Sequence, residues 1–188
     1  ATKIVTFNGG AGEDVVTAWN NQNNTINTYD GADEVFLGTG RNTVDLGLGN
    51  DVVWLGDNIN IVDLGIGGTD TVHVVAPTNG NTYSSIFNAG AGDILDFAAA
   101  VTNSSADFQQ GIVLQPTAGF RDYLNAATAA SVPDDAANWF AYLGNTYIVQ
   151  NVDDVAATFQ DGTDVVVQLV GLVDLSTATV TGGNILLA

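Results

Sequence analysis

The chain has 188 residues, with 21 Asp and Glu against 3 Lys and Arg, so its formal net charge at neutral pH is −18. Such a chain repels polyanions, which excludes nucleic acid and anionic membrane surfaces as partners, while 46% apolar residues suffice for a packed core. With no Cys and one His, His73, it has no disulfides, no thiolate nucleophile or metal site, and no two-histidine centre.

Read from the start, Ala1 to Gly10 shows no basic-then-apolar leader, so either a leader has been removed or export does not use one. No apolar run nears the roughly 20 residues of a membrane span, and no membrane insertion is expected. The segment Gly9-Gly10-Ala11-Gly12-Glu13-Asp14-Val15-Val16-Thr17 then fits the nonapeptide G-G-x-G-x-D-x-U-x at every defined position, U being a large aliphatic residue. Units beginning at Trp19, Thr28, Leu37, Leu46, Leu55 and Leu64 follow at nine-residue steps, with one-residue slips near Ala18 and Gly68. Their eighth positions are Val16, Ile26, Val35, Val44, Val53, Val62 and Val72, all β-branched. The glycine half of each unit turns and the x-U-x half forms a short strand with U inward. Leu37, Leu46, Leu55 and Leu64 lie two residues after a U position and so face inward with it. Stacked units therefore predict two parallel sheets across a thin aliphatic core.

These repeats resemble the repeats-in-toxin (RTX) family over about residues 8 to 73. The resemblance implies a parallel β-roll with calcium held in the turns. A coil of such a roll uses two units, so alternate turns stack on the same edge. The sixth positions then sort completely: Asp14, Asp33, Asp51 and Asp70 on one edge, Asn24, Asn42 and Asn60 on the other. Calcium takes six to eight hard oxygens from carboxylates and carbonyls, and glycine turns expose carbonyls. Calcium is therefore predicted between Asp14 and Asp33, Asp33 and Asp51, and Asp51 and Asp70. The turn residues Gly9, Ala11, Gly47, Gly49, Gly65 and Gly67 complete the predicted sites, and Asp30 is either a supplementary ligand or an Asx-turn residue. Stacked Asn side chains are expected to bond to each other in a ladder and bind calcium weakly or not at all. The competing explanation is that Asp and Asn are interchangeable turn formers whose alternation is accidental. Asp45 and Asp63 are read as solvated, as is His73.

One outer face is apolar, carrying Val15, Phe36, Val52 and Trp54, whereas the other shows Thr25, Asn27, Thr43, Asp45, Ile61 and Asp63. An apolar face requires a cover, either the second half of the chain folded back or a neighbouring subunit.

From about Val74 the period dissolves, with a break at Pro77-Thr78-Asn79-Gly80. Asn88 to Phe97 reads as a degenerate last coil, with Asp93 and Asp96 as weaker metal candidates. Ala-rich stretches near 98–108 and 120–130 predict short helices, Phe120, Tyr123 and Leu124 sharing a face. Strands are predicted at Trp139–Leu143, Thr146–Gln150 and Asp164–Val170. The organisation read from this is an N-terminal strand and roll over 1–97 and a β-rich cap with one or two short helices over 98–188.

From Asn138 onward the chain resembles the C-terminal part of type I secreted RTX proteins and of some bacterial surface-layer proteins. The matching residues are Gly144-Asn145-Thr146-Tyr147-Ile148-Val149, Asp161-Gly162-Thr163-Asp164, Leu169-Val170-Gly171 and the ending Asn184-Ile185-Leu186-Leu187-Ala188. This resemblance implies a C-terminal signal for a type I exporter and a bacterial extracellular or cell-surface location. No GxSxG or HExxH occurs, and Asp134/Asp135 and Asp153/Asp154 read as solvated loop pairs, so no enzyme is expected. Two readings stay open: a self-assembling structural subunit of a surface layer or matrix, or a calcium-binding export module detached from a larger secreted protease, lipase or adhesin.

Overall fold

A computed structural model describes residues 5–19, 21–75, 78–131, 134–152 and 158–188. Ten short strands build the roll. They are β1 (Val5–Ala11), β2 (Val15–Ala18), β3 (Asn24–Asp30), β4 (Glu34–Leu37), β5 (Asn42–Asp45), β6 (Val52–Leu55), β7 (Asn60–Asp63), β8 (Thr71–Val74), β9 (Ser84–Phe87) and β10 (Ile94–Phe97). Odd strands stack in parallel in one sheet and even strands in the other, giving a solenoid of about five coils. The described residues are mostly β, with two helices among them.

The register follows the repeat. Val16 lies beside Val35, Val35 beside Val53 and Val53 beside Val72 in one sheet, and Ile26, Val44, Val62 and Ile86 align in the other. Strand alternation sends these side chains inward with Leu37, Leu46, Leu55 and Leu64, and all are buried. The slip near Gly68 leaves the pairing of Val52 with Thr71 intact, so the extra residue is absorbed in a turn where Gly67 and Gly68 both have positive φ.

The period does not end at Val74. After an excursion the coil resumes with β9, paired in parallel with β7. Only Ile86 of its four residues keeps the repeat's signature, which is why the sequence pattern loses it.

The second half adds α1 (Ser105–Phe108), α2 (Phe120–Ala130), β11 (Ala137–Tyr142), β12 (Asn145–Gln150), β13 (Val165–Leu169), β14 (Thr179–Thr181) and β15 (Asn184–Leu186). It extends the roll end-on: β13 pairs with β9 and continues into β12 and β11, while β15 pairs with β10 and continues into β14. The core runs on without a break, Ile148, Val167, Leu175, Ile185 and Phe108 joining the coil residues. Helix α2 covers the outer side of β11 and β12, where Leu124 is buried with Phe140, Tyr147 and Val149. Of the two covers considered for the apolar face of β2, β4 and β6, the first is not seen as an extensive packing of any described strand or helix of the second half, which docks on the end of the roll instead. That half has two faces of its own to bury, and the end of an open solenoid offers both sheets and core at once.

Candidate metal centre

The turns preceding the even strands stack along one edge and bring Asp14, Asp33, Asp51, Asp70 and Asp93 into a column. From Asp33 onward, each carboxylate accepts the backbone N–H of the Asp one coil earlier: Asp14 N–H donates to Asp33 Oδ1 at 2.8 Å, Asp33 to Asp51 at 2.8 Å, Asp51 to Asp70 at 2.8 Å and Asp70 to Asp93 at 2.9 Å. Asp93 is thus the fifth member, supplied by the degenerate coil. The other oxygens differ by position. At the ends, Asp14 Oδ2 accepts Gly10 N–H at 2.9 Å and Asp93 Oδ2 accepts Gly90 N–H at 2.8 Å. In the middle, Asp33 Oδ2 and Asp51 Oδ2 are buried and accept from no donor. Carboxylates only accept, so a column of them cannot satisfy itself, and each buried unpaired oxygen costs about 1–3 kcal/mol or more when charged.

Burial is the main cause of the shifted acidities. It pushes Asp51 up to about 6, opposed by the Asp33 N–H bond and reinforced by the Asp33 charge. It pushes Asp70 up to about 7, opposed by the Asp51 N–H bond and reinforced by the charges of Asp93 and Asp51.

Glycine keeps this edge open. A Cβ on Gly9 would lie 2.2 Å from Asp14 Oδ2, and one on Gly31 would lie 2.7 Å from Asp33 Oδ1 and 2.4 Å from the Gly12 carbonyl oxygen. Two columns of turn residues run beside the carboxylates: Gly12, Gly31, Gly49 and Gly68 in one, Tyr29, Gly47 and Gly65 in the other. The stacked place assigned by sequence to Gly67 belongs to Gly68, because the slip pushes Gly67 outward, where a Cβ would meet nothing. Tyr29 occupies a glycine place at φ 70°, a conformation that costs a side-chain-bearing residue about 1–2 kcal/mol. Gly12, Gly31 and Gly68 were missed as site residues, although the fourth-position glycine of the repeat marks the first two. Ala11 and Asp30 end β1 and β3 on this edge, both exposed. At the last step a cavity of about 200 Å³ opens between Gly65, Gly68 and Asp70 on one side and Gly90, Ala91 and Asp93 on the other.

The opposite edge is closed. Asn24 Nδ2 donates to Asn42 Oδ1 at 2.8 Å, Asn42 Nδ2 to Asn60 Oδ1 at 2.9 Å, and Asn60 Nδ2 to Ser84 Oγ at 3.2 Å. Each of these amides also bonds its own turn, as Asn42 does to the Gly40 carbonyl at 2.8 Å. The amide ladder expected from the sequence is present, and Ser84 terminates it.

Asp96 stands apart from the acidic edge. Its side chain leaves the outer face of β10, where Oδ2 lies 2.6 Å from His73 Nδ1. His73 stacks on Trp54 at 4.3 Å and Trp54 on Phe36 at 4.4 Å, and Trp19 meets Phe36 edge-on at 5.8 Å, so His73 ends an aromatic column rather than standing in solvent. Val15 is exposed and Val52 half-buried on the same face. Asp63 bonds Gly65 N–H at 3.0 Å and Asn88 Nδ2 at 2.5 Å, while Asp45 is exposed. Asp135 turns at φ 58° beside Asp134, and Asp153 and Asp154 lie outside the described residues.

Among the described residues no three acidic or histidine side chains converge on one point. The coil spacing explains this, since the column gains one buried carboxylate per coil. What the edge can do chemically is accept positive charge along a line. No known family profile matches the chain, and no curated protein is significantly similar to it.

Proposed function

We propose that this protein is an extracellular, non-enzymatic calcium-binding β-roll of the repeats-in-toxin kind, carried out through a type I exporter by its C-terminal segment and assembling as a structural surface-layer or matrix subunit. The observation that carries the calcium part is the pair of buried carboxylate oxygens on Asp33 and Asp51 without a donor. It is supported by the space glycine keeps beside Asp14 and Asp33 and by the −18 net charge. Calcium, when bound, would supply the positive charge that lets the buried carboxylates of Asp33, Asp51, Asp70 and Asp93 stay ionised. Asp33, Asp51, Asp70 and Asp93 hold the coils in register through their Oδ1 atoms, and the Oδ2 atoms of Asp33 and Asp51, with carbonyl oxygens of the turn residues, would hold the cation. Deprotonation of the column and closure of the coils then become one event, so binding free energy appears as folding free energy. The uncovered apolar face with Val15, Phe36, Val52 and Trp54 supports the assembly part.

Calorimetric calcium titration of the whole chain beside Asp33→Asn and Asp51→Asn tests the reading. Each substitution is expected to lower the stoichiometry, and an unchanged count removes the site assignment. Light scattering and negative-stain microscopy on calcium addition test assembly, with persistent monomer favouring the detached export module.

A further inference from the structure

The two ends of the roll treat their strand edges differently. At the C-terminal end, side chains close them. Asn103 Oδ1 accepts Ala137 N–H at 3.1 Å and its Nδ2 donates to the Ala137 carbonyl at 2.8 Å, imitating a neighbouring strand on β11, and Ile112 N–H reaches the Trp139 carbonyl at 2.6 Å. Ser105 Oγ does the same for β14, accepting Val180 N–H at 2.8 Å and donating to the Val180 carbonyl at 3.3 Å. At the other end, β1 and β2 are the terminal strands, and no described residue pairs with their outer sides. Their sequences, VTFNGGA and VVTA, carry no charge and no proline, the usual guards of an exposed edge. The first coil is also the least covered: Val16 keeps 8% exposure where Val35 and Val53 keep 0%, and Trp19 beside it is 73% exposed.

We infer that two copies of this chain join through their β1 edges, antiparallel about a twofold axis near Asn8. Head-to-tail stacking is opposed because Asn103, Ile112 and Ser105 already occupy bonding groups on the outer edges of β11 and β14. A second copy presenting its own N-terminal end remains, and two twofold arrangements bring such ends together. Pairing β1 with the partner's β2 would run the two acidic edges into one line, Asp14 beside Asp14. Pairing β1 with β1 places each acidic edge beside the partner's neutral Asn edge. In a chain of net charge −18 the second arrangement separates like charges and prevails. The joint makes one continuous sheet from the two sheets that contain β1, and it rests on, and refines, the assembly part of the proposed function.

The test uses the whole chain, with calcium if circular dichroism shows the fold needs it. Sedimentation velocity is expected to give a dimer of the 19.4 kDa chain. Thr6→Lys with Asn8→Lys, both exposed on β1, is expected to give monomer with an unchanged spectrum, even though added Lys lowers the overall repulsion. Because the chain has no Cys, Asn8→Cys reads the geometry without relying on those lysines: directly opposed positions lie about 4.5–5.5 Å apart, so oxidation is expected to yield a covalent dimer. A monomeric wild-type chain, a dimer abolished by Val52→Lys but not by the β1 lysines, or cross-linking of Asn8→Cys to Thr17→Cys in place of itself would each overturn the joint. Loss of calcium stoichiometry with the dimer intact, or the reverse, separates this inference from the calcium reading.

Discussion

The acidic and amide edges share one coil spacing and one sheet pair, and differ in the functional group that each coil adds to the column. Asn carries both a donor and an acceptor, so Asn24, Asn42 and Asn60 pass hydrogen bonds down the column and end on Ser84. Ionised Asp carries acceptors alone, so backbone N–H groups satisfy one oxygen of each member and Asp33 and Asp51 keep the other buried and bare. One edge is complete within the chain, and the other requires something positive from outside. A roll built this way is permanently stapled on one side and conditionally closed on the other.

The sharpest consequence is the response to a chelator. Calcium at a free concentration 100 times the dissociation constant adds about 2.7 kcal/mol per site, so several filled sites exceed the marginal stability of a domain. Removal is expected to cost most of the β signal or a large part of the melting temperature, and indifference would show that the acidic edge closes unaided.

Exchanging the groups between edges should act in opposite directions. Asn42→Ala strips partners from Asn24 and Asn60 and is expected to destabilise by about 2–4 kcal/mol with or without calcium, read from urea midpoints. Asp51→Asn keeps an acceptor for Asp33 N–H and removes a buried charge, so in chelator it is expected to be neutral or stabilising while it lowers calcium stoichiometry. If both substitutions destabilise equally in chelator, the contrast between the edges fails.

Acidity gives the next effect. Asp51 and Asp70 have folded values of about 6 and about 7 against 3.8 for the free group, so the unfolded chain loses these protons first. In chelator, stability is therefore expected to fall as pH rises from about 4 to about 7 and to level off above, since ionisation is easier unfolded than folded. With calcium the sign of the binding term reverses: affinity rises with pH through 6 to 7 as the cation displaces the same protons. Urea unfolding at pH 5 and pH 8 with and without calcium checks both signs.

The smallest effect belongs to the outer face. Trp54→Ala breaks the stack with Phe36 and His73 and is expected to cost about 0.5–1.5 kcal/mol beyond its lost area, with calcium stoichiometry unchanged.

Much of the roll was legible because a nine-residue period is a local property repeated in register. The Val and Leu positions, the sorting of Asp14, Asp33, Asp51 and Asp70 from Asn24, Asn42 and Asn60, and both helices could be read from spacing. What escaped lacks a period. Ser84 to Phe87 retains one aliphatic mark, Gly68 displaces Gly67 only when the coils are stacked, and Asp93 and Asp96, three residues apart, part company because one sits in a turn and the other on an outward strand position. The edge guards Asn103 and Ser105 have no sequence signature, since their partners Ala137 and Val180 are 34 and 75 residues away.

Composition and periodicity alone thus decided that the chain coils, which side chains turn inward and which edge carries the charge, because each of these depends on neighbours one repeat away. The tertiary structure decided where the second half docks, which carboxylate oxygens are left without donors and which strand edges are guarded, because burial and hydrogen-bond satisfaction are set by distant segments meeting in space.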